Sequence, residues 1–142
     1  MRWDDFLDTA GRLARGATEG DWRSGISRAY YAVFHYFREF FGANGLDIGQ
    51  GAGQAHSNLY LGLHNCGFPA VELLAGEIDQ LRRDRSATDY DLTRPLDQRS
   101  ASRSIGKANT IVTTFQTQLT TIPAAQIVDG ARRHLKAIGR IP

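Results

Sequence analysis

The stretch Asp21–Phe41, DWRSGISRAYYAVFHYFREFF, decides the fold. Trp22, Ile26, Tyr30, Val33, Phe37 and Phe41 recur in it at steps of three and four, the period of a helix buried along one side. Asp21 is placed to cap its start, because a carboxylate accepts the free amides of a first helical turn. Eight of the chain's fourteen aromatic residues fall within it, so this helix is expected to be the central element of the core.

The flanking sequence is helical in the same way, and no run alternates as a strand would. Trp3 to Ala14 puts Phe6, Ala10 and Leu13 on one face, and Gly16 and Gly20 punctuate the residues after it. Residues 42–54, GANGLDIGQGAGQ, carry five glycines and read as a mobile loop. The run GQGAG lacks the preceding strand and the Gly-Lys-Ser/Thr ending of a phosphate loop, so that reading is rejected. A short helix is expected from Gln54 to about Asn65. Pro69 suits the first turn of the next, which carries Val71, Leu74, Ile78 and Leu81. Residues 86–96 read as irregular. From about Asp97 to Thr121 the apolar positions Ala101, Ile105, Ala108, Val112, Phe115, Leu119 and Ile122 keep a heptad rhythm, and Pro123 ends it. A last amphipathic helix, about Ala124 to Ile138, presents Val128, Ala131, Leu135 and Ile138. The expected fold is all-α: an antiparallel up-and-down bundle of five to six helices in one domain, 1–142.

Composition narrows the function classes. At 142 residues the chain can bury roughly 68–70% of its unfolded surface without staples. A lone cysteine, Cys66, excludes an intrachain disulfide framework and a cysteine-based metal cluster. No apolar run is long enough to span a bilayer, and MRWDDFLD has acid where a signal peptide needs base, so a soluble cytoplasmic protein is expected. The formal charge of +2 is uneven: residues 1–98 carry a net −4 and residues 99–142 a net +6. A basic C-terminal half can meet a polyanion, or be simply a solvated helix face.

Signatures of common enzymes are missing: no HExxH, GxSxG or EF-hand loop occurs. His35, His56, His64 and His134 are scattered, so neither a metal nor a cofactor is expected. The central helix is more informative. At about 100° per residue, Ser24, Arg28, Tyr31, His35 and Arg38 fall within roughly 40° of one line, away from the apolar stripe. Arg28 and His35 point the same way, so one can hold a phosphate while the other moves a proton, the minimum kit for metal-free RNA cleavage. The alternative is a solvated or subunit-facing stripe with no chemistry. Arg85 is the second candidate. Seven residues beyond Ile78, it points inward if its helix persists, and must then find a carboxylate, a phosphate or a cleft. Asp89 or Asp91 can neutralise it, and Tyr90 either packs or presents its hydroxyl beside it.

Three stretches together resemble the HEPN domain family (higher eukaryotes and prokaryotes nucleotide-binding): SRAYYAVFHYFREFF (Ser27–Phe41), AHSNLYLGLHN (Ala55–Asn65) and RRDRSATDYDL (Arg82–Leu92) before the heptad helix. The likeness is to the small prokaryotic branch with a Tyr-Tyr-Ala-x-Phe-His helix and an Arg-x-x-x-Asp-Tyr motif. It implies an all-α bundle that commonly dimerises. It also implies a role in a toxin–antitoxin or defence module, as a metal-independent endoribonuclease or as a non-catalytic nucleotide- or partner-binding module. A minimal nucleotidyltransferase is the implied antitoxin partner, in some members by modifying a tyrosine near the active motif. That motif is an arginine followed after four to six residues by histidine. Here Arg85 is followed by Ser86, Ala87, Thr88, Asp89 and Tyr90, so a tyrosine stands where histidine is expected. Arg28 and His35 keep the spacing, with six residues between, but on the second helix rather than the usual late one. The helical stripe and this motif position together give Arg28, His35, Arg85 and Tyr90 as the catalytic candidates, with Ser24, Tyr31, Arg38 and Asp89 as substrate- or partner-binding residues.

Overall fold

A computed structural model describes residues 1–49 and 52–142. Among the described residues there are six helices and no strand: α1 (Trp3–Ala14), α2 (Glu19–Ala43), α3 (Ala52–His64), α4 (Pro69–Tyr90), α5 (Gln98–Gln118) and α6 (Ala124–Ala137). The all-α expectation holds. The glycine-rich loop read at 42–54 is shorter than expected, because α2 runs on to Ala43 and α3 already starts at Ala52. Its residues 50 and 51, within the rejected GQGAG run, lie outside the described residues.

The chain forms two compact units, and the division falls within α2, α4 and α5. The first comprises Met1–Tyr36 and Ile78–Val112, the second Phe37–Glu77 and Thr113–Pro142.

In the first unit, α1 crosses α2 closely at Gly25, where a Cβ would stand 3.3 Å from the Ala10 carbonyl oxygen and 3.4 Å from the Ala14 nitrogen. Ala14, Ile26 and Ala101 form a buried cluster, with Trp22, Leu96 and Ile105 packed against it. Polar contacts fix the same corner. The Trp22 indole N–H donates to the Gly16 carbonyl at 2.9 Å, and the Gln98 amide donates to the Ala14 carbonyl at 2.8 Å. Asp21 is not the cap of α2. The helix starts two residues earlier, and Thr18 takes that role: its hydroxyl accepts the Asp21 amide at 3.1 Å while Asp21 accepts the Thr18 amide at 3.4 Å. This reciprocal arrangement satisfies two amides where a lone Asp would satisfy one.

In the second unit α3 packs on α6 with small residues in between. A Cβ on Gly62 would lie 3.2 Å from that of Ala131, and Gly130 abuts the Cys66 carbonyl. Phe37, Phe41, Leu59, Leu63, Phe115, Ile127 and Leu135 are fully buried here. The heptad positions within α5 behave as read, Ala101, Ala108, Val112 and Phe115 being buried and Ile105 half-buried. The helix ends at Gln118 rather than about Thr121, with Leu119 half-buried just beyond it. Ile138 departs from its stripe: α6 ends at Ala137, and Ile138 is exposed.

Candidate functional site

Residues 86–96 are not irregular throughout. α4 continues to Tyr90 because its C-terminal end is held from α2. The Arg23 guanidinium donates to the carbonyls of Thr88 (2.7 Å), Asp91 (3.1 Å) and Arg94, and pairs with Glu19 at 2.9 Å. The last carbonyls of a helix have no intrahelical donor, and a guanidinium there also opposes the negative end of the dipole. Arg23→Gln is expected to cost about 1–2 kcal/mol in chemical denaturation. It should also speed amide exchange at the end of α4, and unchanged protection there would refute the clamp.

The persistence of α4 brings Arg85 over the aromatic face of α2. Its guanidinium carbon lies 5.6 Å from the Tyr30 ring centroid and 5.5 Å from that of Tyr31, within the range of cation–π attraction. Nη1 reaches the Tyr31 hydroxyl at 3.5 Å and the Asp89 carboxylate at 3.3 Å, long contacts both. The Arg85 side chain is 15% exposed and that of Asp89 32%. Arg85 Nε is buried without a hydrogen-bond partner. A guanidinium with five donors is thus only loosely satisfied by one carboxylate. Beneath it, burial drives the Tyr30 phenol well above its ordinary pKa, with Arg82 and Arg85 opposing the shift, so Tyr30 stays neutral.

Two other members of the α2 stripe, Arg28 and His35, meet Phe6 of α1. Phe6 carries the Arg28 guanidinium 5.7 Å from its ring centroid and the His35 imidazole 4.8 Å away. His35 is also 6.3 Å from the Tyr31 ring and 5.3 Å from Phe34. Tyr31 therefore neighbours both Arg85 and His35. Arg28 and Ser24 are exposed, while Tyr31, His35 and Arg38 are half-buried.

Tyr90 does not join this cluster. It is 80% exposed at the end of α4, and it makes no hydrogen bond or ring contact with Arg85. Helical geometry accounts for this: Asp89, four residues after Arg85, shares its face, whereas a fifth residue is turned well away. Asp89, rather than Asp91, is the carboxylate paired with Arg85. Sequence reasoning missed Arg23, Phe6 and Tyr30. Phe6 carried a signal as an aromatic residue on the amphipathic face of α1, but its partners lie on another helix.

The HEPN domain family model matches residues 4–118, which takes in α1 to α5 and the whole Arg85–Tyr31–His35 cluster. The chain belongs to the HEPN domain family. HEPN domains are ribonuclease and nucleotide-binding modules that often act on RNA or dimerise. No curated protein and no solved structure matches this HEPN chain. Among its described residues no helix is long and apolar enough to cross a membrane.

Proposed function

We propose that this HEPN chain acts on RNA, holding backbone phosphate on the face formed by Arg28, Tyr31, His35 and Arg85. The observation that carries the reading is the loosely satisfied Arg85. Its guanidinium rests on two aromatic rings with one carboxylate at 3.3 Å, and a phosphate offers shorter, two-pronged contacts. Arg28, resting over the Phe6 ring, keeps its N–H edges for a second phosphate. Asp89 then competes with RNA for Arg85, and this gives the test opposite signs.

Binding of a fluorescent single-stranded RNA is expected to fall roughly tenfold or more in Arg85→Ala. It is expected to rise by roughly two- to fivefold in Asp89→Asn, and to weaken with salt. If Arg85 and Asp89 form only a structural ion pair, both variants lose stability and neither changes RNA affinity.

A second reading, metal-independent cleavage, is favoured by one observation: the His35 imidazole lies beside the tyrosine that Arg85 touches. In that reaction His35 takes the proton of a ribose 2′-hydroxyl and the 2′-oxygen bonds to the adjacent phosphorus. The bond to the 5′-oxygen breaks with a proton from water, leaving a cyclic phosphate and a 5′-hydroxyl. Arg28 or Arg85 stabilises the added charge on the phosphorus oxygens. RNA that stays intact in EDTA leaves the binding module as the function, whereas equal cutting by His35→Ala removes His35 as the base.

The cellular setting that fits is a prokaryotic toxin–antitoxin or defence module, with the chain as a homodimer and a nucleotidyltransferase as its cognate partner. Tyr90, exposed and one residue from Asp89, is the side chain such a partner can modify. Growth arrest on expression, relieved by the neighbouring gene, supports that setting; normal growth in its absence counts against it.

A further inference from the structure

We propose that the first unit contains a second binding site, a cavity of about 310 Å³ that takes a small phosphomonoester, meaning a phosphate bearing a compact organic group. Arg85 is not part of its wall, so the inference stands apart from the RNA reading. The volume is at the small end of ordinary ligand pockets.

The charge of the wall favours an anion. Arg94, Arg103 and Lys107 line it, with Asp84 the acidic residue among them. Arg103 and Lys107 are four residues apart on α5, so both project to one face, and Ser104 lies between them. The hydroxyls supply the second observation. Ser104 is 7% exposed and Thr88 4%, and both line the cavity. Two hydroxyl residues in the wall of one cationic hollow can donate hydrogen bonds to an oxyanion. The rest of the wall is apolar: Ile26, Ala87, Pro95 and Leu96. Bare phosphate would leave that surface uncovered, whereas an organic group attached to it would bury it.

Calorimetric titration of the full chain at low salt with ribose 5-phosphate, AMP and inorganic phosphate tests this. Saturable binding of at least one organic phosphomonoester is expected, with inorganic phosphate roughly tenfold weaker or more. Arg103→Ala, an exposed position, should weaken the organic ligand by roughly tenfold or more, while Arg85→Ala leaves it unchanged. Ala87→Leu should fill the cavity and abolish binding. Should that variant fail to fold, Ser104→Ala replaces it, with an expected loss of roughly three- to tenfold. The proposal is overturned by no binding of either organic ligand, by inorganic phosphate binding as well as they do, or by full affinity in Arg103→Ala or Ser104→Ala.

Discussion

Gly130→Ala is expected to destabilise the second unit by about 2–4 kcal/mol, although alanine is the better helix former. A Cβ at this position would collide with the Cys66 carbonyl oxygen and stand 2.8 Å from its carbonyl carbon. Both are backbone atoms, so no side-chain rotation relieves the clash, and α6 must retreat from the chain just beyond α3. That retreat would loosen the contact of Gly62 with Ala131 and Leu135, as well as the burial of Ile127 and Val128. Close-packed interiors lose contact energy steeply over such gaps. Two control positions isolate the cause. Gly76 in α4 and Gly106 in α5 are exposed helical glycines where an added Cβ would meet nothing within 4 Å. Alanine at either is expected to stabilise by about 0.5–1 kcal/mol, because only backbone entropy changes. Urea denaturation of the three variants should give one large loss and two small gains. A Gly130→Ala protein as stable as the other two would show that α3 and α6 do not approach as described.

The contrast between these glycines marks the limit of what the sequence carries. Helix content is legible because burial has a period: Tyr30, Val33 and Phe37 of α2, and Ala101, Ala108 and Phe115 of α5, are buried where the spacing put them. Gly130 looks like a mild flaw in a helix until Cys66, far earlier in the chain, is brought against it. The C-terminal end of α4 fails for the same reason. Residues 86–96 are polar and read as irregular, but Arg23 holds carbonyls there from 65 to 71 residues away. The candidate site is legible to the same degree. A helical wheel puts Arg28, Tyr31 and His35 on one line, and the sequence offers Asp89 or Asp91 to Arg85, of which the helix pairs Asp89. What the wheel cannot supply is Phe6 from α1, under both Arg28 and His35, or the stacking of Arg85 on Tyr30 and Tyr31. Tyr90 shows the converse error. Its position after Arg85 matches a motif count, but motif counts ignore the turn of the helix.

Phe115→Ala is expected to lose about 3–5 kcal/mol, the cost of deleting a fully buried ring whose surroundings relax only in part. Phe115 is fully buried, and its centroid lies 4.8 Å from that of Phe37 and 4.9 Å from that of Phe40. Both pairs meet edge to face, at 66° and 85°, so geometry as well as area contributes, by about 0.5–1.5 kcal/mol a pair. Against a total stability of about 5–15 kcal/mol for a natural domain, this one change removes a large fraction of the margin. Phe115→Leu restores most of the volume but not the quadrupole contacts, and should cost less than half as much. Phe37→Ala should be comparably severe, Phe37 being equally buried. The double variant distinguishes packing from simple hydrophobicity. Once Phe115 is gone, Phe37 has already lost its partner, so the combined loss should fall short of the two separate losses by about 1 kcal/mol or more. Strict additivity in the cycle would mean that the rings are buried independently, and that the α2–α5 aromatic contact in the second unit is not formed in solution.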